Sequence, residues 1–147
     1  NYKMNGICAA LGISQLKKLK KKIILRKNIY KRYFFNFKDS KDIDVLSYDN
    51  KSNTNYWINV IYFKKLNFTK TYNLSLNLAK KKIETRRVWR PLNLQRHLKT
   101  FQKYKVNNAI KLYRNSLCVP SDENISNSDV DKISNCIKKF YEIIVNK

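Results

Sequence analysis

The residues with intrinsic reactivity are few: three cysteines, Cys8, Cys118 and Cys136, and a single histidine, His97. No two cysteines have CxxC spacing, so neither a zinc site nor a disulfide framework is indicated, and an odd thiol count fits a reducing, cytoplasmic setting. His97 reads as a surface residue. What remains is the chemistry of positive charge, since 32 Lys and Arg against 10 Asp and Glu leave a net charge of +22. The run KKLKKK (17–22) together with the aromatic stretch YWINVIYF (56–63) would suit a basic nucleic-acid-binding module with steeply salt-dependent affinity. The surplus is mostly lysine, however, in a chain also rich in Asn, Ile, Tyr and Phe, the residue set of A- and T-rich coding. Such lysines settle on solvated faces, and no specific nucleic-acid partner is expected. No signal peptide is present and no apolar run approaches the roughly 18 residues of a membrane span, so no membrane partner is expected either.

These side chains must be held by elements legible from periodicity. From about Ile7 to Phe34, Leu16, Leu19, Ile23, Tyr30 and Tyr33 recur at helical spacing while Lys17, Lys18, Lys21 and Lys22 point elsewhere, which predicts one or two long amphipathic helices. Gly12 within them costs helix stability, which suggests close packing against a neighbour. A polar loop over 39–55 with a short strand near Ile43 to Leu46 follows. Tyr56 to Phe63 is β-branched and aromatic on both faces, the pattern of a central strand. Thr71 to Lys82 predicts a helix capped by Thr71, and Ile83 to Trp89 a second strand. Ser126 to Asp129 has capping-box form, and Val130, Ile133, Ile137, Phe140, Tyr141 and Ile144 line one face of a terminal helix. The order helix, strand, helix, strand, helix predicts an α+β layer, a small antiparallel or mixed sheet with helices packed on it. Trp57 and Trp89 are expected in its core.

Three stretches carry more than periodicity. NYKMNGICAALGISQLKKL (1–19) resembles the segment following the cofactor-binding lysine in the DegT/StrS family of nucleotide-sugar aminotransferases, an N-Y-R-M/L run leading into A-A-L-G-x-x-Q-L. ETRRVWRPLNLQ (84–95) resembles that family's E-T-R-P-x-W-x-P-L-H-L-Q, and LYRNSLCVPSDENISNSDV (112–130) its L-Y-x-x-x-L-C-L-P-S close. The three come in the family's order and together span almost the entire chain.

The resemblance implies the small C-terminal domain of a fold type I pyridoxal phosphate enzyme, with 1–37 a connecting helical segment and 38–147 the small domain. The start at Asn1 reads as a cut through a larger chain, whose missing large domain would carry the Schiff-base lysine and the acid that pairs with the pyridine nitrogen. Pyridoxal phosphate is therefore the implied cofactor of an intact homodimer, and no catalytic residue is expected in these residues. By the resemblance, Asn1 reaches the cofactor phosphate of the partner subunit. Lys3, where the family has arginine, faces the substrate diphosphate without the bidentate fork. Arg86 binds a substrate or cosubstrate anion. Asn93 replaces a histidine that faces the sugar, and cannot titrate near neutrality. Arg87 stands where proline is usual, and Cys118 is a packing residue. The implied reaction moves an amino group, with glutamate as donor, to a nucleotide-linked keto sugar for polysaccharide or glycan synthesis. A dehydratase of the same family, with histidine in place of the Schiff-base lysine, and a degenerate remnant are the alternatives.

Overall fold

A computed structural model of the chain describes residues 2–48 and 52–146. Its first element, α1 (Gly6–Phe37), begins where the Asn5 carboxamide accepts the Cys8 N–H at 2.8 Å, satisfying one of the donors that a helix start leaves unpaired. Only its second half is packed. Ile29, Tyr33 and Phe37 form a buried i, i+4, i+8 stripe, whereas Leu16 and Leu19 of the expected apolar face are exposed. A Cβ added at Gly12 would meet nothing within 4 Å, so the close neighbour expected there is not among the described residues.

Four strands are found among the described residues, β1 (Ile43–Val45), β2 (Asn59–Phe63), β3 (Arg86–Arg87) and β4 (Ser116–Val119), paired antiparallel in the order β1-β2-β4-β3. β2 is internal, as its two-faced apolar pattern predicts. It starts at Asn59 rather than Tyr56 because the Thr54 hydroxyl and Asn55 carboxamide accept the N–H groups of Tyr56 and Trp57. Tyr56 sits at φ 51°, a left-handed turn that extended pairing cannot include. The strand expected over Ile83 to Trp89 shrinks to Arg86–Arg87, since the Ile83 N–H is taken by the Leu78 carbonyl at the end of the preceding helix.

That helix, α2 (Phe68–Ala79), is capped by Asn67, whose carboxamide accepts the Lys70 N–H at 2.9 Å. Thr71 is not its cap: it lies one turn in and is fully buried. α3 (Asn107–Asn115) leads directly into β4, and α4 (Asn127–Val145) starts at Ser126, whose hydroxyl accepts the Asp129 N–H at 3.1 Å.

Register fixes which face is core. Ile61 stands opposite Leu117 and Asn59 opposite Val119, so these alternate onto the side where Leu74, Leu78, Val130, Ile133 and Ile137 are buried. Asp44, Val60, Tyr62, Cys118 and Arg86 fall on the other face. Polar clamps tie α1 to this body. Arg32 grips Asp131 in a bidentate pair at 2.8 and 2.5 Å while Asn36 bonds the same carboxylate, and Lys22 and Arg26 both reach Glu123 at 2.9 Å. Arg32, then Asn36, hold the Asp131 carboxyl down at about 2, and Lys22 followed by Arg26 do the same for Glu123. No described helix is long and apolar enough to cross a membrane.

Candidate functional site

The two-residue strand β3 divides its arginines between the faces of the sheet. Arg87 turns toward the helices, its guanidinium 3.7 Å from the Phe68 ring centroid and 5.5 Å from that of Tyr113, while it donates to the carbonyls of Phe68 and Arg114 at 3.4 Å. Burial lowers its pKa, and the stacked rings offset part of that cost. It is a packing residue joining α2, α3 and β3 rather than surface charge.

Arg86 points the other way and is 81% exposed, held among the described residues by Glu84 at 3.0 and 3.1 Å. It lines an open cleft of about 280 Å³ with Ile58, Glu84, Cys118, Val119 and Pro120. An exposed guanidinium with one carboxylate partner keeps donors free for an incoming anion, which suits recognition of a phosphate or carboxylate. Cys118, opposite Arg86 in the ladder, is buried, and burial pushes its thiol pKa up, so it packs and does not react.

Asn93 is half-buried in a 3₁₀ turn, Leu92–Leu94, on the segment that leaves β3, and His97 is exposed on the next such turn, Arg96–Leu98. Lys3 lies exposed beyond the start of α1. About 24 Å of helix, at 1.5 Å per residue, separates Gly6 from Lys22, where the Glu123 clamp begins. Asn93 thus follows Arg86 by seven residues along the chain, and Lys3 lies beyond the end of α1 that the Glu123 clamp does not reach. Asn1 lies outside the described residues.

Trp57 and Trp89 are not in the core. Their side chains are on the surface, 58% and 64% exposed, with ring centroids 6.0 Å apart. Glu84 was also unforeseen as a site residue, although its spacing of two from Arg86 puts both on one face of an extended segment.

The arrangement does not fit pyridoxal phosphate. No lysine lines the cleft among the described residues and its one acid, Glu84, is committed to Arg86, so it offers neither a carbonyl-capturing amine nor a free acid for the ring nitrogen. No group of three His, Cys, Asp or Glu that could hold a metal occurs among the described residues.

Comparison with known proteins matches this architecture. GDP-perosamine synthase of Escherichia coli O157:H7 is 30% identical over 149 residues, covering 96% of this chain and 37% of that protein. Helicobacter pylori PseC, an aminotransferase involved in pseudoaminic acid biosynthesis, superposes with a TM-score of 0.86 at 24% identity, over 97% of this chain and 39% of its own. The pyridoxal phosphate form of a sugar aminotransferase from Streptococcus pneumoniae gives a TM-score of 0.86 at 24% identity, over 96% of this chain and 36% of its own. The fold is thus that of part of a fold type I enzyme, and the chain spans between a third and two fifths of these relatives. A family model matches residues 1–138, nearly the whole chain, and the chain belongs to the DegT/DnrJ/EryC1/StrS aminotransferase family, which works with pyridoxal phosphate.

Proposed function

We propose that the chain is the C-terminal part of an enzyme that uses pyridoxal phosphate to move an amino group from glutamate to a keto sugar carried on a nucleotide, in the synthesis of a surface glycan. Residues 1–37 act as the connector to the cofactor-binding domain and 38–147 as the small domain that closes over substrate. The observation that carries this reading is Arg86: an exposed guanidinium beside an open cleft, at the end of a sheet whose family membership is established. Its partner role is to hold an anionic group of the substrate or of the amino donor. Asn93 donates to or accepts from the sugar without moving a proton, and Lys3 and Asn1 contribute phosphate contacts across a homodimer.

The cofactor, when bound in the intact enzyme, supplies the electron sink. These residues supply orientation and charge. The chain by itself, incubated with pyridoxal phosphate, glutamate and a nucleotide keto sugar, is therefore expected to yield no amino sugar above a protein-free control.

Expression of the whole open reading frame that encodes these residues tests the rest. Amino-sugar formation dependent on glutamate is expected, with Arg86→Gln raising KM for the nucleotide sugar or for glutamate by about tenfold, one charged hydrogen bond's worth. Loss of the sugar hydroxyl without net amination would identify a dehydratase instead, and an unchanged KM in the variant would remove Arg86 from the site.

A further inference from the structure

The cleft beside Arg86 has one wall that is tied to α1. Its lining residues Cys118, Val119 and Pro120 are the end of β4 and the residue after it, and a short turn then runs on to Glu123. The buried Tyr33 of α1 donates its hydroxyl to the Pro120 carbonyl at 3.0 Å. The Ser121 hydroxyl donates to the Val119 carbonyl at 2.8 Å and accepts the Asn59 N–H of β2 at 3.1 Å. Glu123 receives Lys22 and Arg26 of α1, each at 2.9 Å, with only 12% of its side chain exposed.

Lys22, Arg26 and Tyr33 stand at i, i+4 and i+11, so they share one face of α1 and meet the turn along it. The ring of Pro120 fixes its φ, which leaves one soft torsion fewer between Glu123 and the wall and stiffens the link. The second clamp of α1 has like chemistry but ends elsewhere. Arg32 and Asn36 bond Asp131, which belongs to α4 and is not among the residues that line the cleft.

We propose that Tyr33 and Glu123 are positioning residues that hold Val119 and Pro120 against α1, so that the setting of the helix fixes the wall of the Arg86 cleft and with it the fit of the anion that Arg86 binds. Neither residue lines the cleft itself, and both act through Pro120 and the turn after it. The fit of the anion rests on the function proposed above, whereas the tie between α1 and the wall does not. Because α1 is the connector in that reading, the cleft takes its geometry from the connector as well as from the small domain.

Cys118 reports on the wall directly, since it is buried there and becomes reactive only as the wall opens. In the protein expressed from the whole open reading frame, alkylation of Cys118 by iodoacetamide, followed by peptide mass spectrometry, should be slow. Tyr33→Phe removes one neutral hydrogen bond and should speed it about fivefold, and Glu123→Gln removes charge-assisted pairs and should speed it about tenfold. Asp131→Asn breaks the other clamp and should leave the rate as it was, which separates a freed wall from a generally loosened chain. Tyr33→Phe keeps its ring in the core, and it decides the matter if circular dichroism shows Glu123→Gln to be unfolded. Steady-state kinetics give the second readout: both positioning variants should raise KM for the substrate whose KM rises in Arg86→Gln, with kcat kept within about twofold. Unchanged labelling in the folded variants, an equal acceleration in Asp131→Asn, or an unchanged KM where Arg86→Gln raises it would overturn the proposal. If Arg86→Gln itself leaves KM unaltered, the anion site assigned above falls, and the labelling rates still decide whether α1 holds the wall.

Discussion

At the scale of single residues, the neighbours Arg86 and Arg87 show how one backbone step separates recognition from packing. Strand alternation sends Arg86 into the cleft and Arg87 between Phe68 and Tyr113. A guanidinium stacks on aromatic faces through its plane, which an ammonium lacks, although the positive charge is the same. Arg87→Lys is therefore expected to destabilise the chain by about 1 kcal/mol in urea unfolding. An unchanged midpoint would show that charge rather than planarity matters there. The resemblance to relatives identified this position as a departure from proline, but the aromatic pair that receives the arginine comes from α2 and α3, 19 and 26 residues away, and no local pattern points to it.

At the scale of elements, α4 and the second half of α1 sit on the same sheet face but are held differently. α4 docks through apolar burial: Val130, Ile133, Ile137, Tyr141 and Ile144 are all buried, and Ile137 completely. Its amphipathic period made that legible from sequence, because one face of a helix repeats every three to four residues whatever it packs on. Ile137→Ala should cost about 3 kcal/mol by urea denaturation, the transfer energy of the lost methylenes plus the cavity they leave. An unchanged midpoint would mean the helix is not packed. α1 is held by charge as well. Glu123 and Asp131 both have folded pKa values of about 2, below their ordinary 4.5 and 3.8. Their contribution is complete above the ordinary values and fades as the pH falls through them toward 2. Glu123→Gln should thus lower the Tm at neutral pH, and the gap to the unaltered chain should close as the solution is taken to about pH 2. A gap independent of pH would show that Glu123 acts by packing and not by charge.

At the scale of the whole molecule, the described body is well packed at one end and bare at the other. The α1 residues from Gly6 to Lys21 are exposed, apart from the half-buried Ala9, and Ile7, Leu11, Ile13 and Leu16 among them are apolar. Helix without tertiary packing is marginal at this length, so amide exchange over 7–19 should be fast while α4 is protected. Slow exchange over both in a monomeric sample would contradict this. The +22 charge is felt here too, since Lys17, Lys18, Lys20 and Lys21 ride exposed on the unpacked half, where like charges repel one another.

The sequence by itself determined the long first helix, the terminal helix with its Ser126 cap, the internal strand and the family, because each is written locally, in a period, a cap or a contiguous motif. Only the tertiary structure decided the rest. β4 is four residues whose role depends on strands far away in sequence, and the turn at Tyr56 is set by side-chain bonds that cut β2 short. The cap of α2 fell to Asn67 and not to Thr71, since both are competent residue types and burial alone separates them. Composition marked Trp57 and Trp89 as core, being large and apolar. Whether a large apolar side chain is buried is decided by what the rest of the chain lays over it, and among the described residues nothing covers this pair.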